Sequence, residues 1–159
     1  MNYRPESDAV LYASDPVVLL NGADLGELKA LARQNPRKTI RICTHRTTGD
    51  ALHEMIIVLP KGFRVRPHKH LGKAESFSIL EGEVEVVLFD DLGRVTRVIP
   101  MGPPSSGKPF YYRLADPVFH TVIPRSDPAV FHEITQGPFI REQTVFADWD
   151  WDETCLDPV

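Results

Sequence analysis

Cysteine is nearly absent: the 159 residues contain only Cys43 and Cys155. Two thiols near opposite ends of a chain make no disulfide framework, and reduced cysteines suit a cytoplasmic protein. No stretch reaches the about 20 apolar residues that a membrane helix needs. Residues 1–20 carry Arg4, Glu6, Asp8 and Asp15 and hold no apolar run of the signal-peptide kind. The net charge of −4 leaves no basic footprint, so neither nucleic acid nor a membrane is expected as a partner. GxSxG, P-loop, GxGxxG and CxxC motifs are all missing, which removes support for serine hydrolysis, nucleotide triphosphate hydrolysis and dithiol redox chemistry.

Punctuation is what the chain has in plenty, with 14 prolines and 10 glycines. Breakers spread this densely favour many short strands over long helices. One helix is expected, from Asp24 to Gln34: Leu25, Leu28, Leu31 and Ala32 share a stripe, Asp24 can cap the start, and Asn35-Pro36 ends it. Before it, residues 1–20 read as an extended arm ending in Val17-Val18-Leu19-Leu20. After it come strands at Thr39–Thr44, His53–Leu59, Phe63–His70, Ser76–Leu80, Glu83–Phe89, Arg94–Ile99, Pro109–Leu114, Phe119–Ile123, Ala129–Thr135 and Thr144–Trp149. Glu81-Gly82 carries a two-residue hairpin signal. Such a series of short strands predicts a β-sandwich or a barrel, and periodicity does not choose between them.

The densest cluster of chemistry is Gly62-Phe-Arg-Val-Arg-Pro-His68-Lys-His70-Leu-Gly-Lys-Ala-Glu75-Ser-Phe-Ser-Ile-Leu-Glu-Gly82. Residues two apart on a strand face the same way, so His68 and His70 project together. Imidazole suits zinc, iron, nickel or copper, and a carboxylate adds charge and hardness. Glu75 opens the next expected strand after a short turn, where it can lie beside both histidines. The order of glycine, His-x-His, glutamate and glycine matches the first cupin motif at every defined position.

The chain therefore resembles the cupin superfamily, and more closely the WbuC family of cupin-fold metalloproteins. The closer match rests on Arg41-Ile-Cys-Thr-His45, His53-Glu-Met-Ile-Ile, Pro67-His-Lys-His70, Glu75-Ser-Phe, Gly137-Pro-Phe and Thr144-Val-Phe-Ala-Asp-Trp149. The resemblance implies a mainly β, single-domain double-stranded β-helix (jelly roll) with a short N-terminal helix. Residues 1–38 would form the arm and helix, 39–150 the barrel and 151–159 a tail. It also implies a metal inside the barrel and an association with bacterial surface-polysaccharide gene clusters. A fourth ligand is expected from the second cupin motif, where Ala115-Asp-Pro117-Val-Phe-His120-Thr-Val-Ile-Pro124 stands. His120 fits, while Ala115, Pro117 and Pro124 depart from the pattern. The ligand set so implied is His68, His70, Glu75 and His120, holding one divalent ion of iron, manganese, nickel or zinc.

Arg64 and Arg66 share strand parity with the two histidines. If that strand is regular, their guanidiniums face the metal and can hold an anionic group of a substrate; otherwise they turn to solvent or to Glu83 and Glu85. His45 is expected at the cavity wall, with a satisfied core position as the alternative, and His53 is open in the same way. His132-Glu133 reads as a structural pair, and Phe77, Tyr111, Tyr112 and Phe119 as barrel filling. Two functions follow: a metal-dependent enzyme on a sugar or sugar-derived acid, by isomerisation or oxygenation, and a non-catalytic metal- and ligand-binding cupin. A metal-free epimerase would need a histidine–acid pair in place of the ligand set. The apolar run of the N-terminal arm suggests a homodimer.

Overall fold

The computed structural model describes residues 1–151; Cys155 and the rest of the expected 151–159 tail lie outside the described residues. Helix α1 (Gly22–Gln34) begins earlier than its apolar stripe suggests. Asn21, not Asp24, is the N-cap: its side-chain oxygen accepts from Ala23 N at 2.7 Å and Asp24 N at 3.3 Å. Asp24 sits at the third helical position and its carboxylate accepts from Asn21 N at 2.8 Å, a reciprocal capping box. The stripe itself holds, with Leu28 and Ala32 buried and Leu25 and Leu31 packed beside them.

Among the described residues there are twelve strands. They are β1 (Tyr3–Ser7), β2 (Val10–Ala13), β3 (Ile40–Cys43), β4 (Leu52–Leu59), β5 (His68–His70) and β6 (Glu75–Glu81). Then come β7 (Val84–Phe89), β8 (Val95–Met101), β9 (Tyr111–Leu114), β10 (Phe119–Pro124), β11 (Ala129–Gln136) and β12 (Thr144–Phe146). One sheet has the order β1-β2-β3-β4-β11-β6-β9 and the other β12-β5-β10-β7-β8. Strands that follow each other in sequence switch sheets, as β5 to β6, β6 to β7, β9 to β10 and β10 to β11 do. This is the expected jelly roll in one domain.

Alternation along the strands sorts side chains between the barrel interior and the outside. Leu59, Phe77, Ile79, Val84, Val86, Met101, Tyr112, Val122 and Phe131 form a closed apolar plug inside. The opposite parity of the larger sheet is buried too, because Ile40, Ile42, Ile56, Val58 and Val130 pack beneath α1. Outside the smaller sheet, Val87, Phe89, Phe119 and Ile123 lie under Ala147, Trp149 and Trp151.

Several expectations change. The arm at residues 1–20 is a β1–β2 hairpin, with β2 running parallel to β3, while Val17 and Leu19 are exposed. Glu81-Gly82 joins strands of different sheets, so it is a corner and not a hairpin turn. Gly82 is needed there: its φ is +74°, and a Cβ would lie 2.7 Å from the Pro128 carbonyl oxygen. Of the expected strand Phe63–His70 only β5 pairs regularly, because Pro67 has no N–H for a ladder and restrains Arg66 before it. Phe77 and Tyr112 fill the barrel as expected, but Phe119 belongs to the outer layer and Tyr111 is exposed.

Candidate metal centre

The barrel is plugged at one end and polar at the other. Among the described residues, one group of potential ligands converges there: His68, His70, Glu75 and His120, whose donor atoms lie within 4.8 Å of one another. The histidines all come from the smaller sheet, with His120 directly opposite His68 in the β10–β5 pairing. Glu75 comes from β6 in the other sheet, so it faces the histidines across the interior and does not sit beside them on a neighbouring strand.

Backbone carbonyls orient two of the rings. His68 Nδ1–H donates to the Arg66 carbonyl at 2.9 Å and His120 Nδ1–H donates to the Val118 carbonyl at 3.0 Å. A carbonyl only accepts, so each ring carries its proton on Nδ1 and turns Nε2 inward. The Thr144 hydroxyl lies 3.3 Å from His70 Nδ1, which turns that ring's Nε2 the same way. Glu75 receives two of the inward nitrogens: His120 Nε2 at 2.8 Å on Oε1 and His70 Nε2 at 3.0 Å on Oε2.

The electrostatics follow from this enclosure. Burial alone would raise the Glu75 carboxyl, but hydrogen bonds from His120 and His70 outweigh it and hold the group far below the ordinary range. Burial likewise opposes a charge on His120, and the Glu75 contact overcomes it and raises that imidazole. His68 lacks a carboxylate partner; burial, then the neighbouring His120 charge, pushes it down to about 4. The Glu75 carboxylate and the His120 imidazole thus favour each other's charged forms, while burial disfavours a charge on His68.

The donor set fits a divalent transition ion. Donors around one ion at about 2.1 Å stand at most about 4.2 Å apart, so a 4.8 Å spread closes with small side-chain shifts. Three imidazoles and one carboxylate suit zinc, iron, manganese or nickel and leave coordination positions open.

Two cavities of about 390 and 270 Å³ meet at this cluster, and Arg41, His68, Glu75 and Glu133 line both. The larger reaches down to Phe77 and Phe131, while the smaller is walled by His45, His53 and Lys73. His45 stacks on His53 at 4.2 Å and nearly parallel, with its Nδ1 at 3.1 Å from the Glu54 carbonyl. Arg66 and Arg64 line neither cavity. With β5 confined to His68–His70, parity no longer links the arginines to the histidines. Arg66 donates to the Ala147 carbonyl at 2.6 Å and covers Phe146, and Arg64 is exposed.

His132 and Glu133 are not a structural pair. They alternate across β11, His132 toward Glu54 at 3.7 Å and Glu133 into the cavity. Burial and then the charge of Glu75 push the Glu133 carboxyl up to about 7. Arg41 and Lys73 were not singled out by the sequence as cavity residues. The shared parity of Arg41, Cys43 and His45 was the available signal for the first, and nothing signalled the second.

Residues 20–101 match the model of a domain of unknown function, DUF6016, which is more than half of the chain. The chain belongs to the DUF6016 family. No curated protein matches this DUF6016 chain. A Shewanella oneidensis protein of known crystal structure, SO0799, shares the fold, with a TM-score of 0.57 at 9% identity over 80% of this chain and 85% of that one. A cupin-superfamily sugar phosphate isomerase from Silicibacter pomeroyi aligns at 22% identity and TM-score 0.44 over 55% of this chain. Bacillus subtilis oxalate decarboxylase aligns at 19% identity and TM-score 0.49 over 61%. The alignments span 52% of that isomerase and 24% of that decarboxylase. Among the described residues no helix is long and apolar enough to cross a membrane.

Proposed function

We propose that the protein is a metal-dependent enzyme that isomerises a sugar or sugar-derived acid, bound through adjacent oxygens. The observation that carries this reading is the convergence of His68, His70, Glu75 and His120 where two cavities meet. A bound divalent ion would polarise a substrate carbonyl. The protein's own part is proton movement, and Glu133 faces the same space with a carboxyl poised near neutrality. Its carboxylate takes the proton from the carbon beside the carbonyl and returns it to the former carbonyl carbon. The neighbouring hydroxyl proton passes to the former carbonyl oxygen, so the carbonyl moves one carbon along without net oxidation. Glu133 favours this over oxygenation, which needs no such group. The resemblance to the WbuC family supports a place in bacterial surface-polysaccharide metabolism, the scarcity of cysteine suits the cytoplasm, and the apolar run Val17-Val18-Leu19-Leu20 suits a homodimer.

Elemental analysis of purified protein, followed by proton NMR of aldoses, ketoses and uronates incubated with it in D2O, tests the reading. We expect about one transition ion per chain and deuterium exchange at the carbon beside the carbonyl, lost in Glu133→Gln with metal retained. Metal without exchange on any sugar would leave the non-catalytic, ligand-binding reading; absence of metal would defeat both.

A further inference from the structure

Lys73 is an anomaly of placement. It stands in the turn between β5 and β6, only 9% exposed, and lines the smaller cavity. Among the described residues its ammonium has no hydrogen bond and no direct ion pair; the Phe139 ring lies at 5.9 Å, and Glu75 and Glu133 act on it only through space. A buried cation without a direct ion pair is costly, and folded proteins normally pair such groups. Arg41, an exposed residue of β3, lines the same cavity, makes no direct ion pair among the described residues and acts on Glu133 through space.

The carboxylates nearby act on these cations through space but, among the described residues, form no direct ion pair with them. Glu75 is engaged by His120 and His70. Glu133 faces the cavity but makes no ion pair with Lys73 or Arg41 among the described residues. Two cations thus face two acids within one cavity, and a divalent ion at the four donors would leave the space with surplus positive charge. A neutral ligand does not relieve that surplus.

We propose that Arg41 and Lys73 form an anion-binding subsite beside the metal centre, so that the ligand is a small molecule with a carboxylate or phosphate at one end and metal-reaching oxygens at the other. This rests on the metal-dependent reading above. It transfers the anion-recognising role from Arg64 and Arg66 to residues that line the cavity. A cavity of about 270 Å³ opening into one of about 390 Å³ suits a ligand of monosaccharide size. Arginine supplies a fork for two anion oxygens and lysine a point charge, so either acid group is accommodated.

Calorimetric titration with glucuronate, glucose 6-phosphate and neutral glucose tests this on the full chain, with metal content measured first. Wild type should prefer at least one acidic probe over glucose. Lys73→Met and Arg41→Gln should each weaken that probe about tenfold or more, with glucose affinity and metal content unchanged and with Arg66→Gln without effect. The preferred probe identifies the acid group. Lys73→Met should also raise the Tm of ligand-free protein, since it removes a buried charge that has no direct ion pair while keeping apolar volume; a purely structural lysine would lower it. Equal affinity of wild type for acidic and neutral probes would overturn the subsite, as would unchanged acid binding in both variants or a loss confined to Arg66→Gln. Metal-free protein in every preparation would defeat the metal-dependent reading alone, and acid binding that still drops in Lys73→Met would then uphold the subsite.

Discussion

His68 and His120 stand opposite each other on β5 and β10, with ring centroids 4.6 Å apart and each Nδ1 tied to a backbone carbonyl two residues back. Each ring is oriented by the chain just before its own strand, so the histidines are preset on the smaller sheet and Glu75 comes from the other.

Removing those rings should empty the site. His120→Ala, and the double variant His68→Ala with His70→Ala, should lose nearly all bound metal by elemental analysis. His132→Ala should keep it, because His132 faces Glu54 outside the barrel. Full metal in the double variant would exclude the four-donor centre.

Acid should destabilise the metal-free protein through His68. Its folded value of about 4 lies below the ordinary 6.5, so between these values the unfolded chain binds a proton that the folded chain refuses. Stability is therefore present above pH 6.5 and falls as pH drops toward 4, by up to about 1.4 kcal/mol per unit. Urea midpoints across this range should show the slope, and His68→Gln should flatten it.

Glu133 acts with the opposite sign. Its folded value of about 7 exceeds the ordinary 4.5, so the folded chain keeps a proton that the unfolded chain releases. Its contribution is full below pH 4.5 and is lost as pH rises through 7. Glu133→Gln should accordingly stabilise the metal-free protein at pH 8 by on the order of 2 kcal/mol and change little at pH 4.5, by denaturant titration at both values.

The corner at Gly82 gives a purely structural test. Ala at Gly82 combines backbone strain with a Cβ against the Pro128 carbonyl, whereas Gly62, at φ +80°, has open space around it. Gly62→Ala should cost about 1–2 kcal/mol from strain alone, and Gly82→Ala clearly more. Equal losses in thermal denaturation would mean that the close approach at Gly82 relaxes freely.

The His-x-His and glutamate pattern was legible because its spacing is local and survives in the fold, even though Glu75 lies across the barrel and not alongside. The parity of β11 put His132 and Glu133 on opposite faces but did not say which face was inward. The larger sheet buries both faces, one inside the barrel and one under α1, so hydrophobicity gives no orientation there. That is why Glu133 and Arg41 were not recognised as cavity residues. Lys73 sits in a turn, where no period exists to read. The arginine expectation extended strand parity through Pro67, where the ladder stops, and Arg64 and Arg66 line neither cavity.

Because the donors come from both sheets, an ion at this centre would rivet the sandwich together at its open end. Loading would then do more than equip the cavity: it would clamp β5 and β10 to β6, reinforcing the Glu75 hydrogen bonds that link them there. Each tenfold excess of free ion over its dissociation constant adds about 1.4 kcal/mol to the folded state. The amides of these three strands should slow their hydrogen exchange together, as one mechanical unit, when metal is added.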